Sequence, residues 1–241
     1  MITLIPLVVL ALVGVVVAVR PLRRFLIVRW LSDAVGNQAL KRLPDQIHLS
    51  PSRPEALHDA AAALALAKPL LECGFDDVGT YSIVEMPGVF MRLLVKPDES
   101  FTAAIYEHPK AGTWLDITTR YSDGTTSSFS TMRASGLDSR PGSASVRMPG
   151  SSAGEVYERA RAERPKGNMI RVTGEAAPGL FERGYAESMG WRKKKGISAA
   201  EMAKVAATSA ANCRLVRRIE PKAEEADTSR ARTIANSRSS R

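Results

Sequence analysis

Apolar positions along the chain fall into three regimes: an unbroken run, an amphipathic helix pattern, and then short alternating segments. The run is Ile2–Val19, 18 residues without a charge. At 1.5 Å per residue such a helix spans about 27 Å, close to the hydrocarbon thickness of a bilayer. The pattern predicts a transmembrane anchor carried by Ile2, Leu4, Val8, Leu12, Val16 and Val19. A buried core helix is the first alternative, but an uncharged run of this length at a terminus argues against it. A cleaved signal peptide is the second. No basic stretch precedes the run and no small-residue cleavage site closes it.

Arg20, Arg23, Arg24 and Arg29 follow the run directly, with Trp30 beside the last of them. The positive-inside rule then places the N-terminus outside and the rest of the chain in the cytoplasm of a cell membrane. Leu22, Phe25, Leu26 and Leu31 alternate with these arginines, a basic, Trp-containing composition suited to lipid headgroups.

Residues 32–53 show little periodicity and read as a linker. From Pro54 to Gly74 the sequence is rich in Ala and Leu and predicts a helix stopped by Gly74. Pro69 is expected to kink it. Leu57, Ala61, Leu64, Leu71 and Phe75 form its expected apolar stripe. Residues 78–133 then alternate in short runs separated by MPG, PDES, PKAG and SDG, which predicts an antiparallel meander of about five strands. Asp123-Gly124 is expected to form a two-residue turn. Further on, Ser145–Met148 and the NMIRVT segment are candidate short strands. Two capping boxes, Ser152-x-x-Glu155 and Ser198-x-x-Glu201, predict helix starts. A third helix is expected to stop at Gly190. The sequence thus divides into an anchor with its basic segment (1–31), a linker (32–53), an α+β soluble domain (54–208) and a disordered basic tail (209–241).

Turn lengths also suggest strand register. A four-residue PKAG loop sets Tyr106 opposite Leu115 and Ile105 opposite Asp116. A four-residue PDES loop sets Leu93 opposite Ala104 and Arg92 opposite Ile105. The Asp-Gly turn sets Asp116 opposite Thr131 and Thr118 opposite Phe129. One face then collects Met91, Leu93, Val95, Ala104, Tyr106, Leu115 and Ile117 under the 54–73 helix. The other collects Phe90, Arg92, Glu107, Trp114, Asp116, Arg120 and Phe129, where aromatics and charges interleave. That face reads either as a solvent face with cross-strand ion pairs or as a binding surface anchored by Trp114.

Charge sharpens this picture. The net charge is +9, but residues 31–190 carry 17 basic and 20 acidic side chains. The excess lies in residues 1–30, with four arginines and no acid, and in 191–241, with 13 basic and five acidic residues. Basic segments flanking an acidic domain favour the lipid bilayer and its anionic headgroups as partners, at about 1 kcal/mol per basic residue near the surface. Nucleic acid is disfavoured, because no recognition motif or stacking pattern accompanies the charge. Another membrane-associated protein is a further candidate partner. Cys73 and Cys213 have no metal-ligand spacing and read as free thiols. Neither a Walker loop, a nucleophile elbow nor a dinucleotide fingerprint occurs, so no catalytic residue, metal ligand or cofactor is assigned. Glu107-His108 at a strand end and Asp76-Asp77 after a helix read as turn and capping residues. The expected function is a membrane-anchored binding or scaffold module; the alternative is a membrane-anchored enzyme whose site lacks a sequence signature.

Overall fold

The computed structural model describes residues 36–210. The anchor, the arginines after it, Trp30, Cys213 and nearly all of the expected tail lie outside the described residues. Among the described residues no helix is long and apolar enough to cross a membrane.

The fold is α+β. Strands β1 (Leu49–Ser52), β2 (Asp76–Ile83), β3 (Phe90–Lys96), β4 (Phe101–His108), β5 (Gly112–Arg120), β6 (Thr126–Ser130) and β7 (Ser143–Arg147) form one sheet in sequence order. Five pairings are antiparallel; β7 joins β6 in parallel. The helices are α1 (36–41), α2 (Ala60–Glu72), α3 (Ala153–Glu163), α4 (Ala177–Lys195) and α5 (199–210).

The sheet is therefore mixed and seven-stranded rather than an antiparallel meander of five. One extra strand, LSPS, lies inside the expected linker, in a segment without an alternating apolar signal; the other, SASVR, coincides with the candidate short strand at Ser145–Met148, begun two residues earlier. The NMIRVT segment contributes only a single bridge, Tyr121 to Met169.

Helix ends follow their local chemistry. After a 3₁₀ turn at Pro54–Ala56, the Asp59 side chain accepts from the Ala62 amide and starts α2. At its other end the amides of Phe75 and Gly74 donate to Leu70 and Leu71, with Gly74 at φ 84°. This pair of hydrogen bonds closes the helix as glycine at that position allows. Pro69 is accommodated inside α2. The buried face of α2 is Ala63, Ala67 and Leu70; Leu64 of the expected stripe faces solvent. Ser152 and Glu155 form the expected capping box of α3. By contrast α4 runs through Gly190 and ends at Gly196, φ 75°. Lys193–Lys195 form its last turn.

Register decides which side chains share a face. Leu93 faces Ala104 and Arg92 faces Ile105, as turn length suggests. Between β4 and β5 the register differs by one residue: Tyr106 faces Trp114 and Ile105 faces Leu115. Gly112 adopts φ 76° and pairs with His108, so three residues rather than four make the connection. At the next hairpin the Gly124 amide donates to Tyr121 and the Tyr121 amide to Thr125. Gly124, at φ 82°, ends a three-residue loop, so Asp116 faces Ser130 and Ile117 faces Phe129. A one-residue slip exchanges the two faces of a strand.

The main core consequently lies where Leu94, Phe101, Ala103, Ile105, Leu115, Ile117 and Phe129 meet α2 and α3. Met91, Leu93, Val95 and Ala104 occupy the opposite face with Tyr106, and α4, not α2, covers them. Each fully buried aliphatic side chain contributes about 1.5–3 kcal/mol, so both layers matter to stability.

Candidate functional site

The corrected register separates the expected charged face into two groups. Arg92, Glu107 and Phe129 lie on the α2 side. Phe129 is part of the main core, and Arg92 pairs with Asp77 at 2.5 Å. Glu107 is buried beneath the start of α2, where its Oε1 accepts from the amides of His58 (2.7 Å) and Asp59 (3.3 Å). A carboxylate at a helix N-terminus is favoured by the orphan amides there. His108 is equally structural: its Nδ1 accepts from the Lys110 and Ala111 amides of the turn.

Trp114, Asp116 and Arg120 lie on the α4 side. Trp114 stacks on Tyr106 with centroids 4.8 Å apart and planes 12° from parallel. Asp116 has one carboxylate oxygen shut off from solvent without a hydrogen-bond partner. Burial pushes its carboxyl above the ordinary range, partly offset by the Ser130 hydroxyl and the charge of Arg147. Tyr106 is held well above its ordinary range, first by burial and then by the nearby Asp116 charge.

The same layer contains a cavity of about 310 Å³. Its origin is a size gradient across the sheet. The β3 positions under α4 are Met91, Leu93 and Val95, which fill the interlayer space. Across the sheet from Val95 the row continues with Thr102, Thr118 and Ser128, with Ala104 beside Leu93 and Thr126 beside Arg120, and these small residues leave space, whereas Tyr106 and Trp114 continue the Met91 row. Leu180, Phe181, Gly184, Tyr185 and Ser188 of α4 face these residues at helical spacing and form the roof. The lining combines apolar atoms with hydroxyls and one guanidinium, that of Arg120, and the volume sits at the lower end of the roughly 300–1,000 Å³ usual for small-molecule sites.

Arg120 reaches the rim because Gly184 has no side chain; a Cβ there would collide with its guanidinium. Its Nη1 donates to Glu187 Oε2 at 3.2 Å, and Arg140 Nη1 meets the same oxygen at 3.3 Å. Glu187 is about half exposed (45%), so each of these pairs contributes only about 0.2–1 kcal/mol. Arg140 also donates to the Gly124 carbonyl (3.1 Å), while its Nε is buried without a partner. A second, wider cavity of about 580 Å³ adjoins the first at Tyr185 and Ser188 and is lined by Leu40, Leu43, Leu137, Met189 and Trp191. Burial raises the Tyr185 hydroxyl to about 12, and that hydroxyl donates to the Pro44 carbonyl at 3.2 Å.

Sequence reasoning finds Trp114, Asp116 and Arg120 but misses Tyr106, the small hydroxyl residues and the whole α4 roof. The available signal is Gly184 in the middle of a helix, where glycine costs about 1 kcal/mol relative to alanine without a packing reason. Among the described residues no group of three His, Cys, Asp or Glu is placed to hold a metal ion. No family model matches the chain, and comparisons with curated proteins and with solved structures find no match.

Proposed function

We propose that this chain is a single-pass membrane-anchored binding protein whose domain takes a small molecule in the groove between α4 and strands β4 to β6. The observation that carries the reading is the size gradient. A helix and a sheet packed only for stability would place large side chains across the whole interface, because interiors pack to crystal-like density. Here the β3 positions are filled, and the row that continues from Val95 is lined by a hydroxyl on each of three strands, with a guanidinium beside it and the Tyr106 ring at its far end. Support for the tether comes from the 18-residue uncharged run and the four arginines behind it. In this reading the domain lies on the cytoplasmic side, with basic segments toward anionic headgroups. A membrane-impermeant maleimide is then expected to label Cys213 only after cell lysis; labelling in intact cells would overturn that orientation.

Hexanol serves as a neutral probe of the groove. The full chain in lipid nanodiscs is titrated calorimetrically, with empty nanodiscs as the reference. Wild type is expected to bind, and the thermal midpoint to rise, by about 1.4 kcal/mol of stability at tenfold excess over Kd. Ser128→Tyr places a ring in the groove at a strand position that tolerates aromatics, and is expected to weaken binding at least about tenfold. Leu64→Tyr, on the exposed side of α2, should leave binding unchanged. Absence of wild-type binding, or equal binding by Ser128→Tyr, would contradict the proposal.

A further inference from the structure

We infer that the ligand of this groove is a small amphiphilic monocarboxylate, held by Arg120 and Arg140 in the place that Glu187 occupies. The inference rests on the groove being the binding site and names the chemistry that the site takes.

Three observations lead to it. First, the groove is polarised along its length. Arg120 stands at one end, and at the other Phe181 is tilted against Tyr106 with centroids 6.1 Å apart. A ligand matching both ends has a charged head and an apolar body. Second, the guanidiniums of Arg120 and Arg140 converge on one oxygen of one carboxylate, that of Glu187. The three groups keep one uncompensated positive charge, and Arg140 Nε is a buried donor without an acceptor. The position between the arginines therefore already accepts a carboxylate, and a second carboxylate can take it with the paired hydrogen bonds that guanidinium favours. Glu187 is half exposed and free to turn to solvent, which makes it an internal competitor rather than a fixed part of the floor.

Third, the other charge near the groove argues for one carboxylate rather than two. Asp116 is four residues from Arg120 on β5, about 13 Å at roughly 3.3 Å per residue, toward the Tyr106 end. A dicarboxylate would bring its second charge toward this buried acid. An apolar end meets Tyr106, Phe181 and Leu180 instead. Gly184 keeps the path of the Arg120 guanidinium beneath α4 open, so the head group is recognised at the seam of helix and sheet.

The isosteric series hexanoate, hexanol and hexylamine tests this on the full chain in lipid nanodiscs, by calorimetry against empty nanodiscs. Hexanoate is expected to bind at least about tenfold tighter than hexanol, from a charge-assisted paired contact, and hexylamine most weakly. Arg120→Met should bring hexanoate down to the affinity of hexanol. Glu187→Gln removes the competitor and is expected to tighten hexanoate binding about fivefold, the strength of one exposed ion pair, while leaving hexanol unaffected. Because Glu187 is half exposed, this second variant keeps the fold even where the arginine variant does not. Hexanoate no tighter than hexanol, or weakened by Glu187→Gln, overturns the carboxylate assignment. In that case, hexanol binding that Ser128→Tyr blocks leaves the groove standing as the site; failure of both probes removes both readings.

Discussion

Phe101→Ala is expected to lower the free energy of unfolding by about 3–5 kcal/mol, the range for truncating a buried aromatic. Phe101 is 1% exposed and ties β4 to α3 and to the end of α2. Its ring stacks on Phe75, which follows α2, at 6.4 Å, and meets Tyr157 of α3 edge-on at 5.7 Å. The Arg164 guanidinium lies 4.0 Å from its centroid, and the same arginine donates to the Glu99 carbonyl and to Thr119. Removing the ring opens a cavity bordered by α2, α3 and β4 and unseats that arginine. Against a typical total of about 5–15 kcal/mol, this is a large fraction. Chemical denaturation measures it: the midpoint should fall with little change in slope. A loss under about 1 kcal/mol would mean that this face is not the main core. The groove lies on the other side of the sheet, so the folded fraction of Phe101→Ala should still bind hexanol.

Glu201→Ala is expected to have the second-largest effect, about 2–4 kcal/mol, because it removes a buried carboxylate and takes from the largely buried Arg192 guanidinium its charged partner. Glu201 is 1% exposed at the start of α5. Its Oε1 accepts from the Asp138 amide at 2.8 Å and from Arg192 at 2.5 Å, and its Oε2 meets Lys195 at 3.2 Å. Arg192 also donates to the Asp138 carbonyl. One carboxylate therefore fastens α5, the end of α4 and the loop before β7. The capping-box pattern is only half realised: Ser198 accepts from the Glu201 amide, but the Glu201 side chain turns inward to this cluster. Hydrogen exchange should accelerate in α5 and the last turns of α4 while the sheet stays protected; unchanged α5 exchange would rule out this fastening role. Lys195 and Lys204 hold the neighbouring Asp138 carboxyl down to about 2. A lowered carboxyl stabilises the fold above its ordinary value of 3.8, and its contribution fades as pH falls toward 2.

Much of the fold is legible in the sequence because β2 to β6 are short β-prone runs separated by turn residues. The β3–β4 register follows from loop length alone. The β4–β5 and β5–β6 registers do not: left-handed Gly112 pairs with His108 and shortens the first connection from four residues to three, while left-handed Gly124 closes a three-residue loop where two residues are expected. The slip between β4 and β5 leaves Leu115 and Ile117 on the α2 side, as expected, but puts Met91, Leu93, Val95, Ala104 and Tyr106 on the α4 side with Trp114, Asp116 and Arg120. β1 is invisible because LSPS contains a proline and one apolar residue, and it survives as an edge strand, where proline is tolerated. β7 pairs in parallel after a loop, a geometry with no hairpin signal. The groove was the least legible feature. It is defined by what is small, and Thr102, Thr118 and Ser128 look like ordinary strand residues until α4 is laid over them.

The most direct test of the central claim, that the α4 groove is the ligand site, is hydrogen–deuterium exchange of the full chain in nanodiscs with and without saturating hexanol. Slower exchange confined to α4 and to strands β4 to β6, abolished by Ser128→Tyr, is the expected result. Protection in α2 or α3 instead, or no ligand-dependent change in α4, would contradict it.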